Sequence, residues 1–365
     1  MTLKSNIVKT WRDSAALLLI ARQANSHGKY KILMLKRTPK SKFMPSAYVF
    51  PGGVSSATDF SQEWTNILRS EMEMFNERLK IIDDQSKQLY LYSSNADKPL
   101  RADVAFRLCS IRETFEESGI LLTRDETGCQ YTLTNPNHNI GGEYATLGGW
   151  RDKVNENPAA FLKLFHEVNH LRPDVCSLYE WSCALTPTFM KQRFDTLFHM
   201  CFLDHEPDSV EDGGEVVDSL WDSPQQLLTN HGHELPPPQQ IELQRLATYD
   251  TYEKLRTFAV ERELLGLELS CPYMVKLKDG NLKTLPGDDL YNDDPSAKLV
   301  TYDHLTVEDA FRQSRNVNRA EILTEGDVSR IRCNVTWRGH PPLGDVSTKV
   351  WRGEAPKTSS KTSKL

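Results

Sequence analysis

The stretch that most constrains this chain is Val104 to Ile120, VAFRLCSIRETFEESGI. Val104, Leu108, Ile111 and Phe115 recur at helical spacing and stack as one apolar stripe. At about 100° per residue, Glu113 and Glu117 fall on the opposite side with Glu116 beside them. Like charges one turn apart repel by a few tenths of a kcal/mol. Arg112 is adjacent, and a hard, oxygen-ligated divalent cation is a further way to neutralise such a set. A polar helix face is commonly just solvated, but three features set this one apart. Gly119 stands where a left-handed cap would stop the helix. The apolar run Ile120 to Leu122 then reads as a strand. Upstream, Phe50-Pro51-Gly52-Gly53 is a turn after another expected strand, and its glycines allow close backbone approach to a ligand.

Arg112 to Ile120 resembles the second half of the Nudix box, REUXEEXGU, at every fixed position except Thr114. The full box also has a Gly and a Glu upstream. Here the Glu position is Val104, and Gly52 and Gly53 lie beyond an insert, residues 55–100. One branch of the family, the peroxisomal acyl-coenzyme A diphosphatases, looks like this. The similarity continues through Lys36-Arg37, Met44-Pro45, the run Thr186 to Leu203, Arg245 to Leu255 and Leu285 to Tyr291. The motif of another coenzyme A hydrolase branch, with an Arg and a Gly before FPGG, is not matched; Ser46 stands near that Gly.

The resemblance implies an α/β (α+β) Nudix fold, a mixed sheet sandwiched between helices. It implies a domain over residues 10–290, in which the helix and hairpin of 235–290 pack on the rest, then an extension of unassigned role (291–352) and a disordered tail (353–365). It implies hydrolysis of coenzyme A and its acyl esters to 3′,5′-ADP and (acyl)phosphopantetheine with Mg2+ or Mn2+. Glu113 and Glu117 would hold the metal. Glu116 would share the ligation or take a proton from the attacking water, and Arg112 would orient a carboxylate or contact phosphate. Glu215, before the Trp221-Asp222-Ser223-Pro224 turn, is the first candidate for a further metal ligand, and Arg37, Gly52 and Gly53 are candidates for the substrate side. Two alternatives stay open: a Nudix hydrolase of ADP-ribose, a dinucleotide or a capped RNA end, and a non-catalytic binding module. The second is disfavoured because all three glutamates of the box are kept.

Other features bound the reading. A net charge of −6 has no basic footprint for nucleic acid. No apolar run is long enough to span a bilayer, and Met1 to Arg12 is too polar for a secretory signal. Seven cysteines without CxxC pairs argue for reduced thiols and against a zinc site. The ending Ser363-Lys364-Leu365 reads as a peroxisomal address, which makes an import receptor an expected partner and the peroxisome the expected location. His166-Glu167-Val168-Asn169-His170 spells a zinc-protease motif, but the short helix ends by Pro173 and no third ligand is evident. The remaining expectations are a hairpin of Ala15–Ile20 with Tyr30–Leu35, an amphipathic helix from Trp64 to Leu79, loop from Arg124 to Asn157 and a helix over 158–171. Strands follow over 177–185 and 196–203, then an acidic loop over 204–214, one long helix over 241–265 and a hairpin around Asp279-Gly280.

Overall fold

The computed structural model describes residues 11–349 apart from 25, 27, 70, 74–89, 189, 268, 295–296, 324–327 and 338. Residues 70 and 74–79 of the expected insert helix and the tripeptide Ser363-Lys364-Leu365 therefore lie outside the described residues.

The organising strand is β1 (Arg12–Arg22), buried on both faces from Ser14 to Ala21. It pairs antiparallel with β2 (Tyr30–Arg37), as the hairpin expectation requires, and parallel with a strand far along the chain, Phe194–Leu203. The short strands β3 (Tyr48–Val49) and β4 (Gly52–Val54) add to β2 and β1. A run buried on both faces needs cover on both. Alternate residues of β1 divide between two cores. Ala15, Leu17, Leu19 and Ala21 meet the acidic helix α1 (Ala102–Ser118), while Ala16, Leu18 and Ile20 meet two later helices. Sheet and helices thus form the expected sandwich.

The described part of the insert is built into the first core. Its three-ten turn Ala57–Phe60 lies against α1, and Trp64, 1% exposed, packs on Phe161 and Phe165. After α1 comes β5 (Leu121–Asp125), the strand expected from Ile120 to Leu122, and the expected loop holds β6 (Gln130–Leu133) and α2 (Leu147–Glu156). The Gly-rich composition concealed this helix. Gly149 is required because a Cβ there would sit 2.6 Å from the Tyr144 carbonyl, and Leu147, Trp150 and Val154 bury one face. The next helix, α3 (Ala159–Glu167), is shorter than expected and gives way to β7 (Leu171–Pro173) against β5.

Strands β8 (Tyr179–Leu185), β9 (Phe194–Leu203) and β10 (Val216–Asp222) complete the main sheet in the order β10-β2-β1-β9-β8, and β11 (Leu269–Ser270) closes its far edge. Ser223 and Pro224 start α4 (Pro224–His231), as their turn chemistry predicts. The single long helix expected over 241–265 is two, α5 (Pro237–Ala247) and α6 (Tyr252–Glu263). The chain breaks at Thr251, which caps α6 through its side chain.

The hairpin β12 (Tyr273–Leu277) and β13 (Gly280–Thr284) forms as expected, but its partners lie beyond residue 290. It joins β14 (Val300–Tyr302), β15 (Asn318–Leu323), β16 (Val328–Cys333) and β17 (Gly344–Lys349) in a six-stranded sheet. That sheet and α7 (Val307–Gln313) enclose a separate core of Val275, Leu277, Leu282, Val307 and Ala310. The expected division at 290 cuts this unit, because strand edges are satisfied by pairing that local sequence does not display.

Candidate active site

α1 ends as the sequence predicts: Gly119 adopts φ 73°, and its N–H donates to the Phe115 carbonyl at 3.0 Å. Arg151 on α2 clamps the same end by donating to the Glu116 carbonyl at 3.0 and 2.9 Å. The acidic loop is tied there too, through the Val210 N–H to the Ser118 carbonyl at 2.9 Å.

Beside the acids runs β4. Its Gly52 N–H donates to Glu117 Oε2 at 2.9 Å, and a Cβ on Gly53 would collide with the Glu113 carboxylate. A Cβ on Gly52 would sit 2.5 Å from the Ala15 carbonyl of β1. Gly52 is thus required by the approach of strand to strand, and a side chain at Gly53 would displace the Glu113 carboxylate. The close approach they permit here is to the glutamates themselves.

Arg112 is buried, with 2% of its side chain exposed. Its Nε and Nη2 donate to Asp59 of the insert turn at 2.9 Å each, and Nη2 also donates to the Val54 carbonyl at 3.0 Å. Nη1 donates to Glu113 at 2.8 Å and to Glu116 at 2.7 Å. Of the two roles the resemblance implies, Arg112 is placed for orienting carboxylates. Where it lies, it faces no open surface for a phosphate.

Burial and crowding act on the acids in one direction. Desolvation, partly offset by Arg112, pushes Glu113 up to about 7. Desolvation also raises Glu116 against the pull of Arg112. Glu117 lies well above the usual carboxylate range through burial and the neighbouring Glu113 charge, against the pull of the Gly52 N–H. These are acids held out of water beside one another, with more negative charge than Arg112 alone offsets.

Arg37 and Glu215 are brought to the same side. Arg37 lies on β2 on the face of Leu33 and Leu35, which pack in the core that contains α1. Its guanidinium donates to Ser41 at 3.1 Å and forms an ion pair with Glu215 at 3.8 Å. The Glu215 side chain is 71% exposed, and its charge adds to the rise of Glu116 and Glu117. Lys36, one residue before Arg37, is on the opposite face and pairs with Glu234 at 2.6 Å.

Among the described residues, no three acidic, histidine or cysteine side chains surround one point as they stand. Arg112 Nη1 lies between Glu113 and Glu116, so a cation there would compete with it for their oxygens. The donor set nevertheless suits a hard divalent ion: oxygen ligands, desolvated and mutually repelling. The HExxH letters form no such set. His166 pairs with Glu63 at 2.9 Å, Glu167 accepts the Glu143 N–H at 2.6 Å, and His170 lies past the end of α3.

Two residues at this site escaped the sequence reading. Asp59 had a visible signal, because Ser56-Ala57-Thr58-Asp59 has capping-box spacing. Arg151 had none, since it reaches the site from a segment read as loop.

Comparison with known proteins bears on the same residues. The family described as the NUDT19 Nudix domain matches residues 11–246. The chain is 33% identical over 353 residues to the Xenopus laevis protein named acyl-coenzyme A diphosphatase NUDT19, covering 87% of this chain and 92% of that one. It is 34% identical over 341 residues to the Gallus gallus protein of the same name, covering 86% and 90%. A solved Nudix hydrolase from Alicyclobacillus acidocaldarius aligns over 68% of this chain and 96% of its own with a TM-score of 0.49 and 23% identity. The acidic helix, the strand that closes on it through two glycines, and the match across most of the chain agree, and the protein belongs to the NUDT19 branch of the Nudix hydrolases.

Proposed function

We propose that this Nudix enzyme cleaves the diphosphate bond of coenzyme A and acyl-coenzyme A, releasing 3′,5′-ADP and (acyl)phosphopantetheine. The observation that carries the reading is the likeness to proteins named for that activity over 92% and 90% of their lengths. The acidic face supports it, because a diphosphate is hydrolysed readily only where its charge is neutralised.

Glu113 and Glu117 would hold the divalent cation, Mg2+ or Mn2+, with Glu215 as a further ligand. The bound ion would offset charge on the diphosphate oxygens and lower the pKa of water. Gly52 fixes one oxygen of Glu117, and Gly53 leaves room for Glu113. Arg112 orients Glu113 and Glu116. Arg37, the cation on the outer side of the acids, meets the substrate phosphates. Glu116 shares the ligation or takes the proton of the attacking water, and the Glu116→Gln variant separates these roles. Lost ligation weakens metal binding, whereas a lost base abolishes the acidic limb of the pH–rate profile.

The test is incubation of the purified chain and Mg2+ with coenzyme A, an acyl-coenzyme A, ADP-ribose, a dinucleotide and capped RNA, with products identified by mass. Preferred cleavage of the coenzyme A compounds to the products above is expected. Preference for another member of the panel would overturn the substrate, and no cleavage of any would overturn the catalytic reading. The tripeptide Ser363-Lys364-Leu365 supports a peroxisomal location through an import receptor. Its removal from a fluorescent fusion should leave the protein outside peroxisomes.

A further inference from the structure

We propose that Asp59, carried by the insert, is the positioning residue of the acidic site: it fixes Arg112 so that only one guanidinium nitrogen is left for Glu113 and Glu116. The inference rests on the cation-binding reading of α1.

Arg112 is buried and projects from a helix whose own residue 104 is Val, 0% exposed and part of the core. A buried guanidinium requires a partner. The helix offers Glu113 and Glu116, but full pairing with them would tie up the oxygens that a cation needs. Asp59 resolves this by taking Nε and Nη2 in a two-pronged pair at 2.9 Å each. Only Nη1 remains, shared between Glu113 and Glu116.

Asp59 is itself immobilised. Its Oδ2 accepts the Ser56 N–H at 2.7 Å, completing the capping box of the three-ten turn. Phe60, next in the chain, meets Phe106 of α1 edge-on at 5.5 Å. Trp64 donates through its ring N–H to the Thr58 carbonyl at 2.9 Å. Asp59 and Arg112 each have 2% of their side chain exposed, so their geometry is set by packing and not by solvent. The insert thus carries a structural part of the site, whatever its remaining residues do.

The experiment uses Mn2+ alone as the probe, with its affinity read by electron paramagnetic resonance on the full chain, and melting temperature read in parallel. Asp59→Asn should weaken Mn2+ binding by about tenfold or more, the size usual for loss of a residue that orients a ligand. Asp59→Glu, which keeps the charge, should recover most of it. In an Arg112→Met background, which removes the guanidinium that Asp59 holds, Asp59→Asn should change Mn2+ affinity no further. A lowered melting temperature with unchanged Mn2+ affinity would overturn the proposal, as would an equal, additive loss in the Arg112→Met background. A wild-type chain that binds no Mn2+ would instead sink the cation reading itself.

Discussion

Helix α1 carries two buried arginines, and their surroundings differ in a way that separates structure from function. Arg107, 0% exposed, pairs with Glu180 at 3.4 Å and Glu263 at 2.9 Å and donates to the Leu178 carbonyl. Arg262 lies in the same cluster, donating to the Glu180 backbone carbonyl, and its charge is felt by both Glu180 and Glu263. Arg112, five residues on, faces Asp59, Glu113 and Glu116, with Glu117 beyond. The Arg107 cluster is closed and balanced and joins α1 to β8 and α6. The Arg112 cluster has surplus negative charge and an open side towards Glu215. Unbalanced buried charge is costly unless another partner arrives. The surplus, more than burial or hydrogen bonding, marks the end of the helix proposed to bind the cation.

Variants at the two ends should therefore fail differently. The largest effect is expected for Glu117→Gln, which should lower turnover by roughly 10²–10⁴-fold, the scale of a lost catalytic group, with little loss of stability. Turnover within a few-fold of wild type would remove the contrast. Arg107→Ala should do the reverse, costing about 3–5 kcal/mol of stability by stranding two buried glutamates while turnover per folded molecule persists. Denaturant unfolding alongside a normalised assay reads both quantities.

Gly53→Ala sharpens the comparison at one atom. Its added methyl collides with Glu113, so turnover should fall by about tenfold or more through misplacement of that carboxylate. A crystal structure of the variant with Glu113 unmoved would count against this.

The smallest signal expected is in pH. Glu113 has its value raised to about 7 from 4.5, so its contribution favours the folded, metal-free protein below about pH 4.5 and is lost as pH rises through 7. Divalent cations bind the ionised carboxylate, so the melting-temperature gain from Mg2+ should grow between pH 5 and pH 8. Equal gains at both pH values would mean that the ion binds elsewhere.

Much of α1 was legible in order. Its apolar stripe, its stop at Gly119 and its acidic face all follow from helical period and cap chemistry. So do the β1–β2 hairpin, the start of α4 at Ser223-Pro224 and the β12–β13 turn. The misreadings have physical causes. Glycines in α2 serve close packing, which composition registers as loop. Thr251 divides a continuous apolar pattern because its hydroxyl satisfies an α6 N–H. The second partner of β13 lies more than thirty residues away, at Arg319 to Leu323.

Sequence by itself determined the chemistry of the acidic helix, because Glu113, Glu116, Glu117 and Arg112 lie within two turns and their relative placement is a property of the helix. Only the tertiary structure decided which charges meet. Asp59 reaches Arg112 from 53 residues upstream, and Glu180 and Glu263 reach Arg107 from 73 and 156 residues downstream. Lys36 and Arg37, neighbours in the chain, were sent to opposite faces of β2. Local periodicity dictates direction along one element. The counter-charge of a buried group is set by whatever the packed sheet and helices bring alongside it.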